Sequence, residues 1–152
     1  MFIQDFIEVE ASFDAVLQSM EAHQVDLVAW IERAMERGDE IVVGPGRGWP
    51  SVAVDLTLGD TIVGVDSVSL PLEWTSKSAS TLIPAMTAEI ALHSISDGLT
   101  HVQFRGRYQP PLAKAGRLLD AAGMHRVAEM TVRHILSRFK EAIEADLLAT
   151  NL

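Results

Sequence analysis

The sequence contains no cysteine, and this absence removes several classes of site at once. Disulfides, thiolate-bound metals and cysteine nucleophiles are all excluded. Basic residues are also scarce: 12 lysines and arginines against 21 aspartates and glutamates leave a formal charge of −9 at pH 7. Binding to nucleic acid or to an anionic lipid surface needs a positive patch, so we expect no nucleic-acid partner.

Long apolar runs are absent as well. No stretch approaches the roughly 20 residues that span a bilayer, so we expect no transmembrane segment. The first ten residues include Asp5, Glu8 and Glu10 and lack the basic start and apolar core of a signal peptide. We therefore expect a cytoplasmic protein, and the lack of cysteine is compatible with that compartment.

No catalytic or metal-binding motif stands out. The sequence has no GxSxG motif, and no two histidines stand at i, i+4 on a predicted helix or at i, i+2 on a predicted strand. The glycine-rich segment 44–48 is followed by Trp49, Pro50 and a predicted strand, whereas a phosphate-binding loop needs a helix N-terminus after it. We expect no catalytic residue, no metal and no cofactor.

Apolar residues, in contrast, are abundant and periodic. They make up 48% of the 152 positions, which is enough for one domain with a full core, residues 1–152. In segment 100–108, Val102, Phe104 and Tyr108 alternate with polar residues, as in an antiparallel strand with one solvated face. After the prolines at 110 and 111, a long helix is predicted whose apolar face contains Met124, Ala128, Thr131, Val132, Ile135, Phe139, Ala142 and Ile143.

The remaining segments predict a strand, two helices and a run of further strands. The first strand, 2–10, buries Ile3, Ile7 and Val9, and a short helix capped by Ser12 follows it. A second helix is predicted over 24–37. Strands are then predicted over 40–43, 51–58, 61–70, 73–76, 86–95 and 100–108, with hairpin turns at Gly59-Asp60 and Asp97-Gly98.

This order of elements, together with three local segments, resembles the START-like SRPBCC superfamily. The segments are 7–12 (IEVEAS), 44–48 (GPGRG) and 105–111 (RGRYQPP). Members include plant pathogenesis-related allergens, lipid-transfer START domains and aromatic polyketide cyclases. The resemblance covers the whole chain and implies an α+β helix-grip fold, in which a curved antiparallel sheet wraps around the long C-terminal helix and two short helices follow the first strand. It also implies an apolar cavity between sheet and helix.

The resemblance and the apolar inward faces together predict binding of a hydrophobic small molecule, such as a lipid, polyketide or quinone, in that cavity. The residues predicted to contact it are Trp74, Ile90, Leu92, Val102, Phe104, Tyr108, His125, Ala128, Thr131 and Ile135. Two alternatives stay open: an enzyme of the polyketide cyclase/dehydratase type, as some members are, and a protein-interaction module with an exposed apolar patch at Trp49 and Pro50. Homodimer formation is also left open.

Overall fold

The chain folds into a sheet with helices packed on one face. The structure, a computed structural model, describes residues 1–22, 28, 54–76, 85–109 and 121–151. Within these ranges the elements are the strands β1 (Phe2–Val9), β2 (Val54–Leu58), β3 (Ile62–Val63), β4 (Ser67–Ser76), β5 (Met86–Ser96) and β6 (Leu99–Tyr108), and the helices α1 (Phe13–Ala22) and α2 (Ala121–Thr150). The predicted helix at 24–37 is described only at residue 28. The predicted strand at 40–43 and the glycine-rich segment lie outside the described residues.

The described strands form a curved antiparallel sheet of six strands. Their order is β1-β6-β5-β4-β2, with β3 also paired to β4. Strands β5 and β6 form a hairpin whose turn contains Asp97 and Gly98, as predicted. Strand β1 pairs with β6 along its length, from Phe2 opposite Arg107 to Val9 opposite Thr100. Of the described strands, the first therefore lies beside the last.

The boundaries predicted around residues 61–76 are wrong. In place of strands over 61–70 and 73–76, the chain makes the short β3, a turn and then the continuous β4. The amide of Gly64 donates to the carbonyl of Ser67 at 2.7 Å and closes this turn. The hairpin predicted at Gly59-Asp60 is also wrong, because β2 and β3 both pair with β4 rather than with each other.

Pro71 lies in the middle of β4 without disrupting the sheet. Strand β2 pairs with residues 72–76 of β4 and β3 with residues 68–69, so Pro71 falls between the two partners. Its carbonyl accepts a hydrogen bond from the amide of Gly59 at 2.8 Å, and its nitrogen faces the same gap. Neither β2 nor β3 pairs with β4 at Pro71, so no strand there would accept a hydrogen bond from a backbone N–H at this position. The N–H that proline lacks therefore costs the sheet no hydrogen bond.

The core lies between the inner face of the sheet and α2. Alternate residues of β4, β5 and β6 are buried there, and α2 adds Ala128, Val132, Ile135, Leu136, Phe139 and Ile143. This confirms the predicted strand alternation and, for Ala128, Val132, Ile135, Phe139 and Ile143, the predicted helix face. Thr131 and Ala142 of that face are only half-buried, and Leu136 is a core residue that the prediction omits. Burial of each large apolar side chain is worth roughly 1.5–3 kcal/mol, so α2 contributes a large part of the stability.

Specific polar contacts hold the helices in place on the sheet. The hydroxyl of Ser19 on α1 donates to Asp146 Oδ2 on α2 at 2.7 Å. The hydroxyl of Thr100 on β6 donates to the carbonyl of Ala11 at 3.0 Å, just before α1 begins. Ser12 Oγ accepts from the amide of Ala15 at 3.3 Å, which confirms the predicted cap. The architecture is the α+β sheet-and-long-helix arrangement expected from the sequence.

Candidate functional site

A pocket of about 840 Å³ opens at the end of the sheet where β6 finishes. Trp74, Met86 and Tyr108 line it from the inner face of the sheet. They stand in one row across three strands, because Trp74 is opposite Met86 and Met86 is opposite Tyr108. The other face of the sheet contributes a second row of lining residues: Phe2, Arg107, Thr87 and Glu73. The volume falls within the range of roughly 300–1,000 Å³ that small-molecule sites occupy.

A chain of polar contacts runs from this pocket to α2. The hydroxyl oxygen of Tyr108 lies 3.0 Å from Nδ1 of His125, and the two rings are stacked with an interplanar angle of 21°. Nε2 of His125 lies 3.3 Å from Oε1 of Glu129, one helical turn farther along α2. The His125 side chain is 35% exposed and that of Glu129 50% exposed, so the chain of contacts leads from a buried hydroxyl to a solvated carboxylate.

The hydroxyl of Tyr108 is held in its protonated form. Burial raises the pKa of this hydroxyl above its ordinary value of 10.0, and the negative charge of Glu129 raises the pKa further. Both effects disfavour the phenolate. At neutral pH the group is therefore an intact O–H that makes hydrogen bonds.

Trp74 places a second polar group close to the pocket. Its indole Nε1 is buried and has no hydrogen-bond partner within the described part of the chain, and its ring centroid lies 6.2 Å from that of Phe104. A buried donor without a partner costs about 1–3 kcal/mol. Within the described residues, the indole N–H is therefore a buried donor without an acceptor.

The structure separates the ten residues predicted to contact a ligand into three groups. Trp74 and Tyr108 line the pocket, and His125 contacts Tyr108. Thr131 is half-buried farther along α2. The rest lie in the packed core without lining the pocket, and these are Ile90, Leu92, Val102, Phe104, Ala128 and Ile135. Trp74 and Tyr108 belong to the same core cluster. The described residues that line the pocket include none from α2. The cavity between sheet and helix, and ligand contact by all ten residues, therefore stay predictions.

The sequence prediction missed most of the pocket wall, including Met86, and it missed Glu129, which contacts His125. Met86 belongs to the inner parity of its strand, as its alternation with Thr87 and Ala88 would have shown. Glu129 lies on the polar side of the long helix, so the apolar periodicity does not select it. Its signal in the sequence is the i, i+4 spacing from His125, which brings two side chains of one helix face together.

The described residues offer neither a metal centre nor a helix able to cross a membrane. In ranges 1–22, 54–76, 85–109 and 121–151, no group of three or more histidines and carboxylates is arranged to hold a metal ion. The helices described there are not long and apolar enough to span a bilayer. His93 and His101 do lie opposite each other on the outer face, with ring centroids 6.3 Å apart, and Phe6 stacks on His101.

No protein-family model matches the sequence, and no curated protein does. Solved structures do match the fold of this chain.

A conserved protein from Geobacillus kaustophilus is 11% identical with a TM-score of 0.58, and the match covers 95% of this chain and 96% of that one. The protein Ara h 8.0201 is 12% identical with a TM-score of 0.56, covering 95% and 98%. A START superfamily protein from Mycobacterium smegmatis is 10% identical with a TM-score of 0.52, covering 95% and 97%. At these identities the similarity concerns the fold alone.

Proposed function

Because the chain has the START-like helix-grip fold of the SRPBCC superfamily, we propose that it binds an apolar small molecule, such as a lipid, polyketide or quinone, between its sheet and its long helix. The observation that supports this most directly is the pocket of about 840 Å³ at the end of β6. Its wall includes Trp74, Met86 and Tyr108, which all belong to the sheet face that packs against α2. A concave site with apolar walls and few polar groups is the usual form of a small-molecule site.

The charge distribution around the pocket favours an occupant with an apolar body and a polar end. Glu73 and Arg107 are exposed at the edge of the pocket, while Met86 and Trp74 are buried beneath it. An apolar body in contact with the inner side chains would leave water, and each buried CH₂ group would contribute about 0.8 kcal/mol. The polar end would then meet the hydroxyl of Tyr108 or the charged edge.

The proposal is tested with the uncharged fluorescent probe N-phenyl-1-naphthylamine. We expect saturable binding with a dissociation constant in the micromolar range, equivalent to roughly −8 kcal/mol. Ala85→Trp places a large side chain at an exposed position in the pocket wall and should weaken binding by about tenfold or more. Ala149→Trp, at an exposed position near the end of α2, is the matched control and should leave the affinity unchanged. Equal affinity in both variants would contradict the proposal.

A second candidate function is catalysis of the cyclase or dehydratase type. The observation that favours it is the chain of contacts from Tyr108 through His125 to Glu129, because a hydroxyl, an imidazole and a carboxylate in sequence can move a proton. The test is to incubate the protein with a linear poly-β-ketone thioester and follow cyclised or dehydrated products by mass. Turnover that Tyr108→Phe slows by about 10²–10⁴-fold, with binding retained, would favour the enzyme over the binding protein.

A further inference from the structure

We propose that His93 and His101 together bind one divalent transition-metal ion, such as Cu²⁺, Ni²⁺ or Zn²⁺, on the outer face of the sheet. The two residues are directly opposite each other where β5 pairs with β6. They alternate with buried residues of the inner face, and neither is among the residues that line the pocket. Spacing along one strand or helix does not reveal the pair, because its members belong to different strands. The site goes beyond the proposed function and is independent of it.

The register of the hairpin brings the two imidazoles to one place. Directly opposite residues of an antiparallel pair have their Cβ atoms about 4.5–5.5 Å apart, with both side chains on the same face. The ring centroids of His93 and His101 are 6.3 Å apart, with an interplanar angle of 52°. Metal–nitrogen distances of about 2.0–2.1 Å to two imidazoles correspond to ring centroids roughly 4.5–6.3 Å apart. The observed separation is at the upper end of this range, so a small change in side-chain torsion lets both rings reach one ion.

The ring nitrogens of the pair are available to a metal. In the described part of the chain, the side chains of His93 and His101 make ring contacts and no hydrogen bond or ion pair. Phe6 stacks on His101, with ring centroids 4.7 Å apart and an interplanar angle of 25°. This contact restrains the plane of the His101 ring. A half-turn about the Cβ–Cγ bond keeps that plane and exchanges the two ring edges, so the stacking is compatible with a nitrogen directed at the ion.

The donor atoms select the class of ion. Imidazole nitrogen binds Cu²⁺, Ni²⁺ and Zn²⁺, whereas Mg²⁺ and Ca²⁺ prefer oxygen ligands. Glu8 pairs with His101 on its β1 side, and this residue and the formal charge of −9 favour the approach of a cation. Among the described residues, no group of three or more histidines and carboxylates could hold a metal ion. We therefore expect two protein ligands, with water in the remaining positions of the metal.

The experiment titrates the full chain with Ni²⁺ by calorimetry at about pH 7.5, because imidazole binds a metal in its unprotonated form. His93→Ala and His101→Ala should each weaken binding at the pair by about tenfold or more, and the double variant should lose little beyond that, since one imidazole alone does not chelate. His134→Ala, at a half-buried position of α2 on the other side of the sheet, is the matched control and should leave the affinity unchanged. Excess Mg²⁺ should not compete.

A second measurement needs no variant. Cu²⁺ is paramagnetic and broadens the nuclear magnetic resonance signals of nearby groups, and it is bound most tightly among the divalent first-row ions. The ring signals of His93 and His101 should lose intensity together at well below one equivalent of Cu²⁺. The ring signals of His125 and His134 should change only at higher concentration, because each of these has no second histidine opposite it in the described structure.

Two results would overturn the inference. One is the absence of Ni²⁺ binding, or Ni²⁺ binding that stays within about twofold of its original strength in both single variants. The other is broadening by Cu²⁺ that affects His93 without His101 or reaches His125 first, which decides the question even if a variant fails to fold. Failure of N-phenyl-1-naphthylamine to bind would remove the proposed function and leave this site intact, whereas failure of Ni²⁺ to bind would remove this site alone.

Discussion

Tyr108 combines packing and chemistry in one side chain. Its ring is buried beside Met86, and its hydroxyl contacts His125 on the opposite element of the fold. Its backbone is also engaged, since its amide donates to the carbonyl of Met1 at 2.9 Å and the amino group of Met1 donates to its carbonyl. The residue therefore links the start of the chain, the end of β6 and α2.

The first prediction is an elevated pKa for Tyr108, which can be observed directly because the sequence contains one tyrosine. Absorbance of the tyrosinate near 295 nm should give a midpoint above 10.0 in the folded protein, since burial and Glu129 both raise the pKa. In urea the midpoint should return to about 10. Glu129→Gln should lower the folded midpoint without restoring it fully, because burial is the larger cause. A folded midpoint equal to the unfolded one would refute the assignment.

The same pKa shift has a consequence for stability at alkaline pH. A folded pKa above the unfolded value means that the protonated hydroxyl stabilises the fold below about pH 10, and that this contribution is lost as the pH rises through the folded pKa. Urea unfolding at about pH 9 and about pH 11 should therefore show a larger loss of stability for the unsubstituted protein than for Tyr108→Phe. A loss of the same size in both would show that Tyr108 is not the group responsible.

The second prediction concerns Thr100, which is fully buried and donates to the carbonyl of Ala11 at 3.0 Å. Thr100→Val keeps the volume but leaves the carbonyl without this donor, so we expect a loss of about 1–3 kcal/mol in the free energy of unfolding. Thr57→Val, at an exposed position on β2, is the control and should change stability by no more than about 0.5 kcal/mol. Chemical denaturation measures both, and equal effects would mean that the hydroxyl of Thr100 contributes nothing specific.

Among the described elements, α2 contributes the largest number of buried apolar residues to the core, and it also carries His125 and Glu129. Its buried residues Val132, Leu136 and Phe139 pack against the sheet, while His125 and Glu129 lie nearer its start, beside Tyr108. The ion contact between Arg133 and Asp5, at 3.4 Å, joins the exposed side of the helix to β1. Such a solvated contact adds at most about 1 kcal/mol, so apolar packing decides where the helix lies.

The third prediction tests this packing by truncation. Deletion of every residue after Arg133 removes Ile135, Leu136, Phe139 and Ile143, all buried. Their burial is worth roughly 1.5–3 kcal/mol each, which rivals the whole stability of a domain, so the shortened chain should be unfolded or aggregated. Deletion after Leu148 removes only residues 149–152 and should leave a cooperative unfolding transition. Circular dichroism during heating distinguishes the two, and a cooperative transition in the shorter chain would contradict the helix-grip packing.

For the molecule as a whole, a ligand that occupies the pocket must also stabilise the fold. The fourth prediction is that N-phenyl-1-naphthylamine at about 100 times its dissociation constant raises the free energy of unfolding by about 2.7 kcal/mol. At the same probe concentration the gain should fall to about 1.4 kcal/mol or less in Ala85→Trp, which changes the pocket wall and weakens binding by about tenfold or more, and it should stay at about 2.7 kcal/mol in Ala149→Trp, which lies away from the pocket. Urea denaturation monitored by circular dichroism avoids interference from the probe fluorescence. An equal gain in both variants would place the binding elsewhere.

The sequence by itself determined which faces of the elements are buried. Val102 and Phe104 alternate with polar neighbours, and Ile135, Phe139 and Ile143 recur at helical spacing; all five are buried where the pattern predicts. This works because the periods of 2 and 3.6 residues are properties of the local backbone, so a single strand or helix displays them in its own sequence. The turn at Asp97-Gly98 was predictable for the same reason, since it depends on adjacent residues only.

Only the tertiary structure decided which buried faces meet. Periodicity assigns a side chain to a face without naming its partner, so it could not show that β2 and β3 share β4, or that β1 lies beside β6. Periodicity also could not predict that Tyr108, at the end of a strand, contacts His125 on the helix that follows. Nor could it predict that Glu129, on the polar side of that helix, contacts His125. The pocket lies beside the row Trp74, Met86 and Tyr108, which is the last inner-face row that the described strands β4, β5 and β6 share. Strand register and helix placement set these positions, and both depend on contacts between residues far apart in the chain.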